Sequence, residues 1–145
     1  ISAKPGVVLV TSGPGFTNTV TGIANAYSDS TPLVILAGDV ANSDSNEKIF
    51  QNIDMQDICK SCTKKIFKLS WRDNIEFIIK EAFKTANSGV KGPVLVILPR
   101  NILEADCYSL NQESSINNNP SSFIEQDIVN FYEKIKELNA KKYNY

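Results

Sequence analysis

The sequence predicts an α/β fold: an open, mostly parallel sheet with helices on both faces. Three observations predict it. The chain holds three apolar runs without polar alternation: Val7-Val8-Leu9-Val10, Leu33-Val34-Ile35-Leu36-Ala37 and Val94-Leu95-Val96-Ile97-Leu98. Runs of this kind read as strands buried on both faces, the parallel-sheet type. Between the first two runs lies a stretch of helical periodicity, so strand, turn, helix and strand form a βαβ unit whose crossover should be right-handed. Finally, 145 residues with 42% apolar and 21% charged content make one ordinary domain able to bury a core.

Each element follows in order. Pro5-Gly6 precedes the first strand and Ser12-Gly13-Pro14-Gly15 breaks it. From Thr17 to about Tyr27 the residues are small, with Val20, Ile23, Ala24 and Tyr27 at helical spacing; Asp29-Ser30-Thr31-Pro32 ends that helix. The second strand closes at Gly38. Residues 39–64 are polar and irregular, with helical turns near Asp54 to Cys59. Ile66 to Leu69 reads as a short strand. Asp73 with Glu76 predicts a helix start, followed by an apolar face of Ile75, Ile78, Ile79, Ala82, Phe83 and Ala86, which Gly89 stops. The third long apolar strand ends at Pro99. Residues 108–122 are rich in Asn, Ser, Gln and Pro and read as a linker. Ser122 and Glu125 then cap a last helix over 123–145, expected to open a following domain that is incomplete here.

Composition excludes several function classes. The net charge of -1 gives no reason to expect nucleic acid or an anionic membrane as partner. No apolar run reaches the ~20 residues of a membrane helix. Three cysteines, an odd number, argue against a disulfide framework and for a reducing compartment, here the cytoplasm. With no histidine, neither a Ser-His-Asp nor a Cys-His site can be built from this chain. The start Ile1-Ser2-Ala3-Lys4 reads as a cut into a longer chain, so the domain is expected to be truncated at its N-terminus and any organellar targeting segment would lie out of view.

The turn Ser12-Gly13-Pro14-Gly15 sits between a strand and a helix N-terminus, the edge where open α/β sheets bind ligands. Glycine there lets a ligand approach the backbone closely; the plain alternative is a tight connection. A dinucleotide fingerprint would need glycine where Asn18 stands, and a P-loop would need a lysine at the helix start, so both fail. Cys59-Lys60-Ser61-Cys62 is a CxxC, but it has no second pair, since Cys107 stands alone, and it lies in an irregular stretch; an incidental spacing is the simpler reading.

Several motifs together resemble a known family. Thr11-Ser12-Gly13-Pro14-Gly15-Phe16-Thr17-Asn18, Thr21 to Tyr27, Asp29 to Leu33, Phe50-Gln51 with Asp54, Thr63-Lys64, Ser88-Gly89, Gly92 to Val96 and Leu98-Pro99-Arg100-Asn101 occur in the order and spacing of the acetolactate synthase large-subunit family of thiamine-diphosphate enzymes. The resemblance covers about residues 4–104. It implies that residues 1–107 are part of the domain that binds the cofactor's pyrimidine ring. It implies thiamine diphosphate, with Mg²⁺ held by a domain not present, a small 2-keto acid substrate, and a homo-dimer or tetramer with the active site between subunits. The implied activity is decarboxylation and carboligation of pyruvate to 2-acetolactate, in branched-chain amino-acid biosynthesis. Oxalyl-CoA decarboxylases and 2-hydroxyacyl-CoA lyases share much of the pattern and are the alternative, as is a degenerate, non-catalytic module.

The family's catalytic glutamate is expected upstream of Lys4-Pro5-Gly6, so no catalytic residue is assigned in this chain, and the 145 residues alone are expected to be inactive. By resemblance, Gly13, Pro14, Gly15 and Asn18 are cofactor-binding, while Phe16, Phe50 and Gln51 belong to the substrate pocket. No metal ligand is assigned. The family also carries FAD. Here Val90 stands where its flavin-contacting arginine is expected, and Val90 offers neither charge nor donor, so weak FAD binding or none is expected.

Overall fold

The structure, a computed structural model, describes residues 4–41, 50–70 and 73–104. The linker and last helix expected over 108–145, and Cys107, lie outside the described residues. Among those described, the chain forms β1 (Gly6–Val10), α1 (Pro14–Thr17), α2 (Val20–Ser28), β2 (Leu33–Asp39), α3 (Met55–Cys59), β3 (Lys65–Lys68), α4 (Ile75–Asn87), β4 (Pro93–Pro99) and α5 (Arg100–Leu103). The strands make one sheet in the order β1-β2-β4-β3, with every pairing parallel. The α/β, parallel-sheet reading therefore holds.

The two central strands carry the core. β4 is buried along its whole length, and β2 is buried from Val34 to Ala37. Ile35 and Ala37 of β2 and Leu95 and Ile97 of β4 alternate onto one face, where they pack with Phe16, Ile23, Met55 and Cys59 from α1, α2 and α3. Val34, Leu36, Val94 and Val96 take the opposite face, and α4 packs against β2, β3 and β4 there with Ala82 and Ala86 buried.

The first strand departs from expectation. β1 is the edge of the described sheet, not a strand buried on both faces: Val7 is 46% and Leu9 49% exposed. Its apolar character is real, but among the described residues no strand lies beyond it. The helix expected from Thr17 to Tyr27 is in fact two. Asn18 and Thr19 separate them, because the Thr19 hydroxyl donates to the Phe16 carbonyl oxygen at 2.6 Å and its N–H does so at 2.9 Å, closing α1 before α2 begins. Tyr27 is nearly half exposed, and Ala26 takes the buried position beside Ile23.

Helix α4 starts one residue later than expected. Its N-cap is Asn74, whose side chain accepts from the Phe77 N–H at 3.1 Å, while the Asp73 carboxylate turns back to accept from the Ser70 N–H. Its far end is held from outside. Lys64 Nζ donates to the carbonyl oxygens of Thr85 at 2.5 Å and Ser88 at 2.6 Å, placing a cation on the negative end of the helix. Beside it, the Thr63 hydroxyl donates to the Cys59 carbonyl oxygen at 2.8 Å. Gly89, at φ 53, then lets the chain turn toward β4.

Candidate functional site

Parallel strands all end on the same side, so the loops after β1, β2 and β4 share one edge of the sheet. The loop after β1 is built around Gly13. Its φ of 62 and ψ of -121 lie where side chains rarely go, the first corner of a mirror-image type II turn. Gly13 is the N-cap of α1, and its carbonyl oxygen accepts from the Thr17 N–H at 3.0 Å. Pro14 occupies the first helical position, where its missing N–H costs nothing.

The second requirement for glycine comes from across the chain. A Cβ on Gly13 would lie 2.8 Å from both Cα and Cβ of Gln51. Gln51 thus packs its backbone directly on the loop, 38 residues away in sequence. Gln51 itself adopts φ 69, a left-handed conformation that costs an L residue on the order of 1–2 kcal/mol. The Ser12 hydroxyl donates to Gln51 Oε1 at 3.5 Å, and Ser12 is buried. Phe50, beside it, is 84% exposed.

The expected site residues therefore divide. Gly13, Pro14 and Gly15 form the loop, and Gln51 is brought onto it, while its neighbour Phe50 is exposed. Asn18 sits a helical turn away at the end of α1, with its side exposed toward a groove of about 260 Å³ shared with Val8, Thr19, Gly22 and Leu33. Phe16 is fully buried in the core against Ile23, Ile35 and Met55, so its ring supports the loop from beneath and presents no surface to a ligand. Val90 is exposed on the connection between α4 and β4.

Two features are not visible in the sequence alone. Ser12 stands in the turn, and its hydroxyl contact to Gln51 exists only in the fold. Asp39, at the end of β2, forms an ion pair with Lys68 of β3 at 3.1 Å and also accepts from the Val40 N–H. Both line a cavity of about 300 Å³ with Asn52, Met55 and Gln56. Asp39 ended an apolar run, which was a signal; Lys68 gave none, because β4 lies between the two strands. The CxxC is a core feature on one side: Cys59 is fully buried and Cys62 half-buried, with the Cys62 thiol donating to the Cys59 carbonyl oxygen at 3.7 Å. Burial, then the charge of Cys62 and its hydrogen bond, push the Cys59 thiol up from 9.0 to about 12. That is the opposite of an activated redox thiol.

The Ser12–Gly15 loop and Gln51 are themselves neutral, whereas the charges of this edge, Asp39, Lys68 and Arg100, lie at the ends of β2, β3 and β4. A glycine-rich loop, a prolyl ring and a carboxamide can pack on and hydrogen-bond a flat heterocycle or a carbonyl compound, but they carry no charge for a diphosphate. Among the described residues no group of three or more His, Cys, Asp or Glu could hold a metal ion. The loop and Gln51 thus fit the pyrimidine end of thiamine diphosphate; the diphosphate and its metal find no partners among them.

A parallel α/β sheet with a glycine-turned loop at its carboxyl edge defines a class of cofactor-binding domain. Residues 1–58 match the family model described as the thiamine pyrophosphate enzyme, N-terminal TPP binding domain. The chain is 51% identical over 102 residues to the acetolactate synthase isozyme 3 large subunit of Escherichia coli, covering 70% of this chain and 18% of that protein. It is 46% identical over 105 residues to the acetolactate synthase large subunit of Buchnera aphidicola from Acyrthosiphon pisum, covering 72% and 18%. Against the mitochondrial acetolactate synthase of Schizosaccharomyces pombe the identity is 42% over 142 residues, covering 95% and 21%. The chain belongs to the thiamine-diphosphate enzymes of the acetolactate synthase type. It spans about a fifth of the length of these curated relatives.

Proposed function

We propose that this chain is the pyrimidine-facing part of an acetolactate synthase, which condenses pyruvate to 2-acetolactate. The observation that carries the reading is the convergence of Gln51 on the Ser12–Gly15 loop, together with identity of 40–51% to proteins named acetolactate synthase. Thiamine diphosphate, when bound, supplies the carbanion chemistry of such an enzyme. The residues of this chain bind and orient. Gly13, Pro14 and Gly15 lie flat against the aminopyrimidine, with Asn18 at the rim and Phe16 fixing the loop to the core. Phe50 covers the reacting region, and Gln51 donates an amide N–H to a 2-keto acid oxygen without repelling its carboxylate.

In this reading, residues 108–122 link to a following domain opened by a helix over 123–145; the S. pombe match, which runs over 142 residues, supports continuity of that segment. The family's glutamate, the Mg²⁺ site and the second subunit complete the active site from outside this chain. Two relatives are named as mitochondrial, so family membership leaves the compartment open between cytoplasm and organelle. Val90 replaces the expected flavin-contacting arginine, and FAD is proposed to bind weakly or not at all.

The test is to assay the full-length protein with pyruvate, thiamine diphosphate and Mg²⁺ for acetolactate, in parallel with oxalyl-CoA. Acetolactate formation supports the proposal. Turnover of oxalyl-CoA alone would move the chain to the acyl-CoA alternative. The same preparation, denatured, should release no stoichiometric FAD by absorbance; a stoichiometric yield would overturn the Val90 argument.

A further inference from the structure

We infer that Ser12 is a positioning residue for Gln51: its hydroxyl holds Oε1 of the carboxamide, so that the amide N–H₂ faces the substrate. The inference rests on the proposed role of Gln51 and goes beyond it.

A glutamine side chain ends in one acceptor and one double donor, and the two can exchange places by rotation about the last torsion. A binding site that needs a donor must stop that rotation. Ser12 is placed to do so. Its hydroxyl lies 3.5 Å from Gln51 Oε1 and donates to it. Ser12 is itself buried in the turn two residues after β1, so its position is set by the packing around it. A hydroxyl 3.5 Å away is a long hydrogen bond, of the kind that shortens when a ligand pulls the amide into line.

The backbone confirms that Gln51 is held in place rather than swinging free. Its φ of 69 is unfavourable and is maintained by packing on Gly13, where Cα and Cβ of Gln51 fill the space a side chain would take. Serine and glycine therefore act on the same residue from adjacent positions: Gly13 admits the backbone, and Ser12 sets the amide. With Oε1 engaged, the N–H₂ group is the part of the carboxamide left for a ligand. A 2-keto acid offers carbonyl and carboxylate oxygens, all acceptors, so a fixed donor suits it and a freely rotating amide does not.

The experiment uses the full-length enzyme with thiamine diphosphate, Mg²⁺ and pyruvate, and compares Ser12→Ala, Ser12→Thr, Gln51→Ala and the double variant Ser12→Ala/Gln51→Ala. Ser12→Ala should lower kcat on the order of 10-fold, the effect of one neutral hydrogen bond. Its cofactor affinity, read by fluorescence titration, should stay unchanged, which also reports that the variant is folded. Ser12→Thr keeps the hydroxyl and should recover most of the loss. In the Gln51→Ala background, Ser12→Ala should cost nothing more, because the side chain it positions is gone. If Ser12→Ala is not folded, the isosteric Ser12→Cys, a weak donor, replaces it with the same expectation. An equal loss in both backgrounds, or Ser12→Ala at wild-type kcat while Gln51→Ala is impaired, would overturn the positioning role and leave the role of Gln51 standing. Gln51→Ala at wild-type kcat would instead overturn the role of Gln51, and this inference with it.

Discussion

Gly13 is the residue on which the site turns. Its backbone conformation excludes most side chains, and the space above it is already taken by Gln51. Gly13→Ala should therefore destabilise the domain by about 2–4 kcal/mol, adding backbone strain to overpacking; chemical denaturation of the full-length protein measures it, and an unchanged midpoint would contradict the packing described. Cys59 makes a second prediction. Its folded-state value of about 12 lies above the 9.0 of an ordinary thiol, so the folded chain keeps a proton that the unfolded chain gives up. That contribution to stability is complete below pH 9 and is lost as pH rises toward 12. Alkylation at pH 8 should accordingly modify Cys62 and spare Cys59 until the protein is unfolded, as peptide mass mapping would show. The importance of Gly13 was legible in the sequence because a glycine between strand and helix invites the question. The reason for it was not, since the residue that packs on it, Gln51, lies 38 residues further along the chain. Likewise, the resemblance pointed to Phe16 as a pocket residue, but a ring of that size beside a buried strand was drawn into the core.

At the level of elements, the strands were legible and their neighbours were not. Continuous apolar runs mark β1, β2 and β4, yet periodicity carries no information on which strand lies at an edge, so the sequence points to a buried β1 where the structure has an exposed edge strand. The break between α1 and α2 depends on a single Thr19 hydroxyl bond that helix periodicity does not register. Helix α4 shows how capping is shared. Asn74 satisfies its first turn, and Lys64, from the segment before β3, holds its last carbonyls. This gives the Thr63-Lys64 motif a structural role: it ties α3 to β3 and β3 to α4. Asn74→Ala should cost about 1 kcal/mol of stability, whereas Asp73→Ala, which removes only an exposed loop bond, should cost less. Thermal unfolding of the two variants checks the order, and the reverse order would return the cap to Asp73.

Across the whole domain, the exposed apolar side of β1 is the feature with the largest consequence. Among the described residues Val7 and Leu9 lie on the edge strand of the sheet, the geometry that invites another strand. The 145-residue chain by itself should associate in a concentration-dependent way across the micromolar range, and Leu9→Lys should suppress this; light scattering after size exclusion measures both. A monodisperse monomer throughout would show the edge to be harmless. The sheet otherwise delivers its functional loops to one edge, where the neutral Ser12–Gly15 loop with the Gln51 carboxamide suits a heterocycle better than a phosphate. The most direct measurement of that claim is a crystal structure of the full-length protein with thiamine diphosphate and Mg²⁺ bound. The aminopyrimidine ring should lie against Gly13, Pro14 and Gly15, with the Gln51 amide N–H₂ turned toward the reacting end of the cofactor and its Oε1 on Ser12. A cofactor seated away from this loop, or a Gln51 directed from it, would rule out this loop as the pyrimidine site.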